Sequence, residues 1–213
     1  MHNSNFESDL SKEATLGVYL DSYYQNIFEK SNYTIERVSD INLQHQGVDL
    51  ILKSGINEYL VDEKAQLDYL NKSLPTFAFE LSYLKNKEWR LGWLLDETKI
   101  TNIYFLVTNI HTKQAGNLES GITKIKITGI YRDRLITLLE SKGLAKTELI
   151  ELEKNIRLGE QEGKISIKEL NPKTEGALYF SKSNKAEQPI NLVLKLDYLI
   201  KNSVGKVLFE IEK

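Results

Sequence analysis

The sequence predicts an α/β fold, and three observations lead there. Residues 11–29 place Leu16, Tyr19, Leu20, Tyr23 and Ile27 at spacings of three and four, the period of an amphipathic helix. From Tyr33 onward, short apolar, strand-like segments alternate with polar turns. Two of those segments, Val48 to Lys53 and Glu58 to Gln66, flank the polar stretch Ser54-Gly55-Ile56-Asn57, which reads as a hairpin turn.

In chain order, Ser11 is the expected N-cap of the first helix. Tyr33 to Ser39 reads as the first strand, and the hairpin supplies the second and third. A polar connection over 67–74 ends at Pro75, a breaker. Thr76 to Leu84 reads as a strand with Phe77 and Phe79 on one face, and Trp89 to Leu95 as another after a turn. Ile103 to Ile110 and Ile122 to Ile130 are strongly apolar strands, followed by a helix over Tyr131 to Ser141. The character changes near residue 144. Thr147 is the expected cap of a helix to Leu158, with Glu148, Glu151 and Glu153 toward its favourable end and Gly159 as its stop. Segments 164–168 and 177–181 read as short strands, and Asn191 to Leu196 and Lys206 to Ile211 as closing strands around a short helix. The expected organisation is a core over 1–143 and an α+β extension over 144–213 packed on it.

The hairpin carries the chemistry. Each strand delivers a carboxylate, Asp49 from Gly47-Val48-Asp49-Leu50-Ile51-Leu52 and Asp62 from Tyr59-Leu60-Val61-Asp62-Glu63-Lys64-Ala65-Gln66. Strand side chains alternate faces, so Asp62, Lys64 and Gln66 share one face while Val61, Glu63 and Ala65 take the other. Antiparallel pairing can bring Asp49 beside Asp62. Two carboxylates there are hard oxygen ligands for Mg²⁺, which keeps several waters and takes further ligands from substrate phosphate. Lys64 is a compact positive charge able to orient water or neutralise a phosphate. Acid-x-lysine by itself is uninformative. It recurs at Glu97 with Lys99, Glu140 with Lys142 and Glu162 with Lys164, in a polar turn, at a helix end and in a loop. Only Asp62 and Lys64 lie in an apolar strand with an acid-bearing hairpin partner. The ordinary counterpart is a charged sheet edge that blocks edge pairing.

These residues resemble the PD-(D/E)xK nuclease superfamily, whose restriction-endonuclease-like core is a mixed central sheet flanked by helices. The resemblance covers about residues 10–110. Asp49 matches the superfamily's aspartate, Asp62 and Lys64 its acid-x-lysine, and Glu13 the glutamate of its first helix. Gln46-Gly47 resembles the approach to the aspartate in some branches, and Gln66 falls where several keep a polar residue. Val48 replaces the proline of the name, and Glu63 beside Asp62 leaves two acids to choose between. The resemblance implies Mg²⁺ or Mn²⁺ held by Asp49, Asp62, Glu13 and Glu63, the last through its backbone carbonyl, with Lys64 and Gln66 completing the catalytic set. It implies nucleic acid, DNA above all, as substrate. By analogy a homodimer cuts both strands.

Composition sets the remaining bounds. At 213 residues the chain can bury a sizeable core, and 41% hydrophobic with 27% charged residues favours a globular chain over a disordered one. Zero cysteines exclude disulfides, thiolate catalysis and cysteine-ligated zinc. Three scattered histidines make no zinc site, and His45 is at most a proton carrier near Asp49. No secretory leader or apolar span of about 20 residues is recognisable, so a cytoplasmic protein without membrane partners is expected. The net charge of −2 argues against a general nucleic-acid coat but permits a local one. Lys124, Lys126, Arg132 and Arg134 are the expected phosphate contacts, and Trp89 and Trp93 are either base-stacking or core residues. The expected activity is a metal-dependent nuclease. Its alternatives are a ribonuclease and a noncatalytic binding or assembly module on the same fold.

Overall fold

The computed structural model describes residues 6–28, 31–183 and 185–212. It divides into two compact units. The first comprises 1–74, 100–131 and 205–213, and the second 75–99 and 132–204. The chain therefore leaves the first unit after Leu74 and returns to it at Ile100. The expected division at 143/144 falls inside the second unit.

The first unit opens with helix α1 (Phe6–Phe28), strand β1 (Thr34–Arg37) and short helix α2 (Ile41–His45), then β2 (Leu50–Ser54) and β3 (Asn57–Ala65). After the second unit's first excursion come β6 (Ile103–Gln114) and β7 (Asn117–Tyr131), and at the end β11 (Gly205–Glu212). These strands form one sheet in the order β1-β2-β3-β6-β7-β11. β3 and β6 run parallel, whereas the other neighbours are antiparallel, so the sheet is mixed. A mixed sheet flanked by helices is an α/β architecture.

Burial holds α1 to this sheet. Leu16, Leu20, Tyr24 and Phe28 recur every four residues and pack in one cluster with Leu50, Leu52, Val61, Phe105, Val107 and Ile127. Tyr19, Tyr23 and Ile27 flank that stripe, partly buried. Ser11 lies inside α1, not at its start. α2 is absent from the sequence reading. Asp40 caps it by accepting from the Asn42 N–H at 2.8 Å.

The second unit contains β4 (Thr76–Lys85), β5 (Glu88–Leu91), α3 (Arg132–Ser141), α4 (Lys146–Leu158), β8 (Gly163–Ile165), β9 (Gly176–Phe180), β10 (Ile190–Lys195) and α5 (Leu196–Lys201). Its sheet runs β5-β4-β10-β9-β8 with every neighbour antiparallel. β5 stops at Leu91, short of the expected Leu95. At Gly92 a Cβ would fall 2.4 Å from the Glu80 carbonyl oxygen, so the chain turns where only glycine fits. α4 begins at Lys146 with Ala145 at its N-cap, so Thr147 is not the cap. No helix among the described residues is long and apolar enough to cross a membrane.

Candidate functional site

The hairpin register sets the site. Leu50 stands opposite Val61, so Asp49 sits one residue before the ladder begins. Its N–H still donates to the Val61 carbonyl at 2.8 Å, and its own carbonyl accepts from Val38 N–H. Two further ties fix this end of the hairpin. Thr101 Oγ1 donates to the Gly47 carbonyl at 2.6 Å, and Asn102 accepts from and donates to Leu60 across the parallel strand. Asp49 is thereby held, half-buried, with Oδ2 accepting from the Glu63 N–H at 2.8 Å.

Asp62 is buried, 1% exposed. Lys64 Nζ lies 2.6 Å from its Oδ1, while the lysine itself stays one-third exposed. That contact is an ion pair without the alignment of a hydrogen bond, and Oδ1 remains a buried oxygen with no aligned donor. Burial pushes the Asp62 carboxyl up to about 7. The Lys64 ammonium opposes the rise, and the neighbouring Asp49 carboxylate adds to it. Asp49, Asp62 and Lys64 therefore form one electrostatic group. Gln66 follows β3, its N–H donating to the Val107 carbonyl at 3.0 Å.

Glu63 leaves this group. Its Oε2 accepts from the Tyr24 hydroxyl at 2.5 Å and lies 3.5 Å from Arg37, which also pairs with Asp21 at 2.6 Å. Burial raises the Glu63 carboxyl, and Tyr24 and Arg37 pull it back. α1 thus meets β3 on the face that carries Val61 and Glu63. By strand alternation Asp62 and Lys64 occupy the opposite face. Glu13 is exposed on α1. Among the described residues no group of three or more His, Cys, Asp or Glu side chains assembles that could hold a metal. What assembles is a pair of carboxylates with a lysine. The buried Asp62 carboxylate beside Asp49, with only the Lys64 ammonium against its Oδ1, fits a cation of the Mg²⁺ type, for which one or two carboxylates suffice.

The four expected phosphate contacts are divided between the two units. Lys124 and Lys126 lie on β7 and pair across the ladder with Glu212 and Glu210 of β11, at 2.9 and 3.4 Å. Arg132 and Arg134 begin α3 in the second unit, where Arg134 donates to the Ser203 carbonyl. Trp89 carries the Arg157 guanidinium 3.5 Å above its ring, and Trp93 packs 5.4 Å from Phe79. His45, the last residue of α2, is exposed.

Sequence reasoning missed Asp21, Tyr24 and Arg37. Tyr24 shares the spacing of Leu16 and Leu20, which signals burial. Its acceptor lies 39 residues away, which no local pattern reveals. Comparison with family models, with characterised proteins and with solved structures gives no match for this chain.

Proposed function

We propose that this chain is a metal-dependent nuclease that hydrolyses phosphodiester bonds in DNA, with Mg²⁺ or Mn²⁺ held by Asp49 and Asp62. The observation that carries the reading is the buried Asp62 carboxylate, one oxygen without an aligned donor, set against the Lys64 ammonium and the Asp49 carboxylate. A buried acid so placed is costly to the fold, and perturbed acids of this kind concentrate at functional sites. The restriction-endonuclease-like arrangement of helix, hairpin acids and parallel strand is part of the same proposal, and DNA enters through that family resemblance.

A divalent cation in such a site stabilises charge developing on phosphorus and lowers the pKa of a water. The chain's own groups do the remaining work. The Glu63 N–H fixes the rotamer of Asp49. The Lys64 ammonium spans from the buried acid to solvent, where it can neutralise a phosphate oxygen or hold the attacking water. Gln66, anchored at the strand end by its N–H, offers an amide to the same water.

The test is cleavage of supercoiled, linear and single-stranded DNA and of structured RNA with Mg²⁺ or Mn²⁺, comparing wild type with Asp62→Ala and Lys64→Ala. Cleavage of DNA by wild type alone is expected. Cleavage of RNA alone would reassign the substrate, and full activity in either variant would remove the assignment. The rival reading, a noncatalytic binding or assembly module, draws on the absence of a third acid from the metal set among the described residues. It requires that calorimetry find no Mg²⁺ or Mn²⁺ binding.

A further inference from the structure

The first unit holds a cavity of about 90 Å³ on the α1 face of its sheet, with Gly129 among its lining residues. Glu63, Phe105, Gly129 and Lys206 are register partners across β3, β6, β7 and β11, forming one row. Gly129 contributes no side chain to that row. Leu208, at an irregularity of β11, packs over that position: a Cβ on Gly129 would come 3.0 Å from its Cδ1. A glycine inside a strand marks a close approach of another group. Here the space beside it is lined by the rings of Phe28, Tyr33, Tyr59, Phe105 and Tyr131.

We propose that this cavity is a binding site for a small monocyclic aromatic carboxylate, of the benzoate class. Three features select that chemistry. The cavity is larger than a single water needs, and most of its lining residues are aromatic or aliphatic. Five aromatic rings favour a flat ring as occupant, through edge and offset contacts. Tyr33 and Lys206 are the exposed lining residues and so mark the mouth. Lys206 makes no ion pair among the described residues, and no carboxylate is among the described residues lining the cavity. An anion at the mouth with its ring inside satisfies both parts. The site is distinct from the Asp62 group, because Tyr59 shares its face of β3 with Val61 and Glu63. It stands or falls independently of the nuclease proposal.

The experiment titrates benzoate, benzyl alcohol and acetate into the full chain, read by isothermal calorimetry and by amide shifts of residues 103–105 and 129–131. Saturable benzoate binding, tighter than either control, is the expected result. Gly129→Val crowds the cavity wall against Leu208, itself a lining residue, and should weaken benzoate at least about tenfold. The nearest obstacle to its side chain is the end of the flexible Leu208 side chain. Lys206→Gln, an exposed change that leaves the cavity intact, should cut the preference for benzoate over benzyl alcohol about two- to fivefold, as an exposed charge contact would. No saturable binding by wild type overturns the proposal. So does undiminished binding by Gly129→Val, or an unchanged preference in Lys206→Gln.

Discussion

The hydroxyl of Tyr24 donates to the carboxylate of Glu63 at 2.5 Å, joining the C-terminal part of α1 to the C-terminal part of β3. This contact separates the two adjacent acids of Asp62-Glu63-Lys64. Glu63 ties helix to sheet together with Arg37, while Asp62 faces Lys64 on the other side of the strand. Tyr24 is 1% exposed, so its polar atom depends on this one acceptor. The burial of Tyr24 and the charge of Glu63 raise the Tyr24 hydroxyl well above its ordinary range, which keeps it a donor at any physiological pH.

Removing the donor should therefore cost stability and leave the acid pair alone. Tyr24→Phe strips one hydrogen bond from a largely buried carboxylate, a loss of about 1–3 kcal/mol. Urea denaturation measures it. Adding Glu63→Gln to Tyr24→Phe should recover part of the loss, because the unsatisfied charge is gone. Mg²⁺ affinity should be unchanged in both variants. A drop in affinity for Tyr24→Phe would show that Glu63 belongs to the metal set after all.

Asp62 predicts an unusual pH dependence of stability. Its carboxyl is pushed up to about 7 in the folded protein, from an ordinary value of 3.8. Between those values the folded state binds more protons than the unfolded state, so stability falls as pH rises through the window. Asp62→Asn removes the buried charge and keeps the shape. In metal-free buffer the variant should melt higher than wild type at pH 8, by a smaller margin at pH 5, and level with it only below the ordinary value of 3.8. Thermal melts with a chelator present check the sign. A variant less stable than wild type at pH 8 would mean that the Lys64 ion pair outweighs the burial of the acid.

Much of this was legible in the sequence. The helix stripe, the hairpin, the apolar strands and the alternation that separates Asp62 from Glu63 are local periodicities, and local sterics decide them. Two kinds of feature were not. Gln66 lies past the end of β3 and α2 is only five residues long, so chain ends and short caps escape a periodicity reading. The other kind is non-local. Lys124 and Lys126 look like a basic patch until β11 brings Glu212 and Glu210 alongside them. The division of the chain is non-local too: residues 75–99 fall within the expected core over 1–143, yet β4 pairs with β10, more than a hundred residues later.

Asp49 permits a test that separates charge from structure. Its Oδ2 accepts from the Glu63 N–H, a role that an asparagine oxygen can also fill. Asp49→Asn should keep stability within about 1 kcal/mol of wild type, whereas Asp49→Ala leaves that N–H without its acceptor and should cost about 1–3 kcal/mol. If Asp49 and Asp62 hold the metal as proposed, its affinity should fall in both variants by at least about tenfold, because each removes one of two anionic groups. Calorimetry with Mn²⁺ reads the affinity and urea denaturation the stability. Equal Mn²⁺ affinity in wild type and Asp49→Asn would take Asp49 out of the metal site.

The second unit has its own polar centre, and its role is structural. Arg157 of α4 pairs with Glu153 at 3.1 Å, donates to the Gln188 carbonyl at 3.3 Å and to the Ser82 hydroxyl, and lies over Trp89. Both partners of the ion pair are about nine-tenths buried, at 10% and 9% exposure. One planar guanidinium thus joins α4, β4, β5 and the turn before β10, a geometry lysine cannot reproduce. Arg157→Ala leaves Glu153 buried and unpaired, which costs about 3–5 kcal/mol. Arg157→Ala/Glu153→Gln should recover part of it, and Arg157→Lys should fall between wild type and the single alanine variant. Both tryptophans of the chain lie in this unit, so indole fluorescence during urea denaturation reports it directly. A loss below about 1 kcal/mol in Arg157→Ala would reduce the cluster to a solvated surface pair.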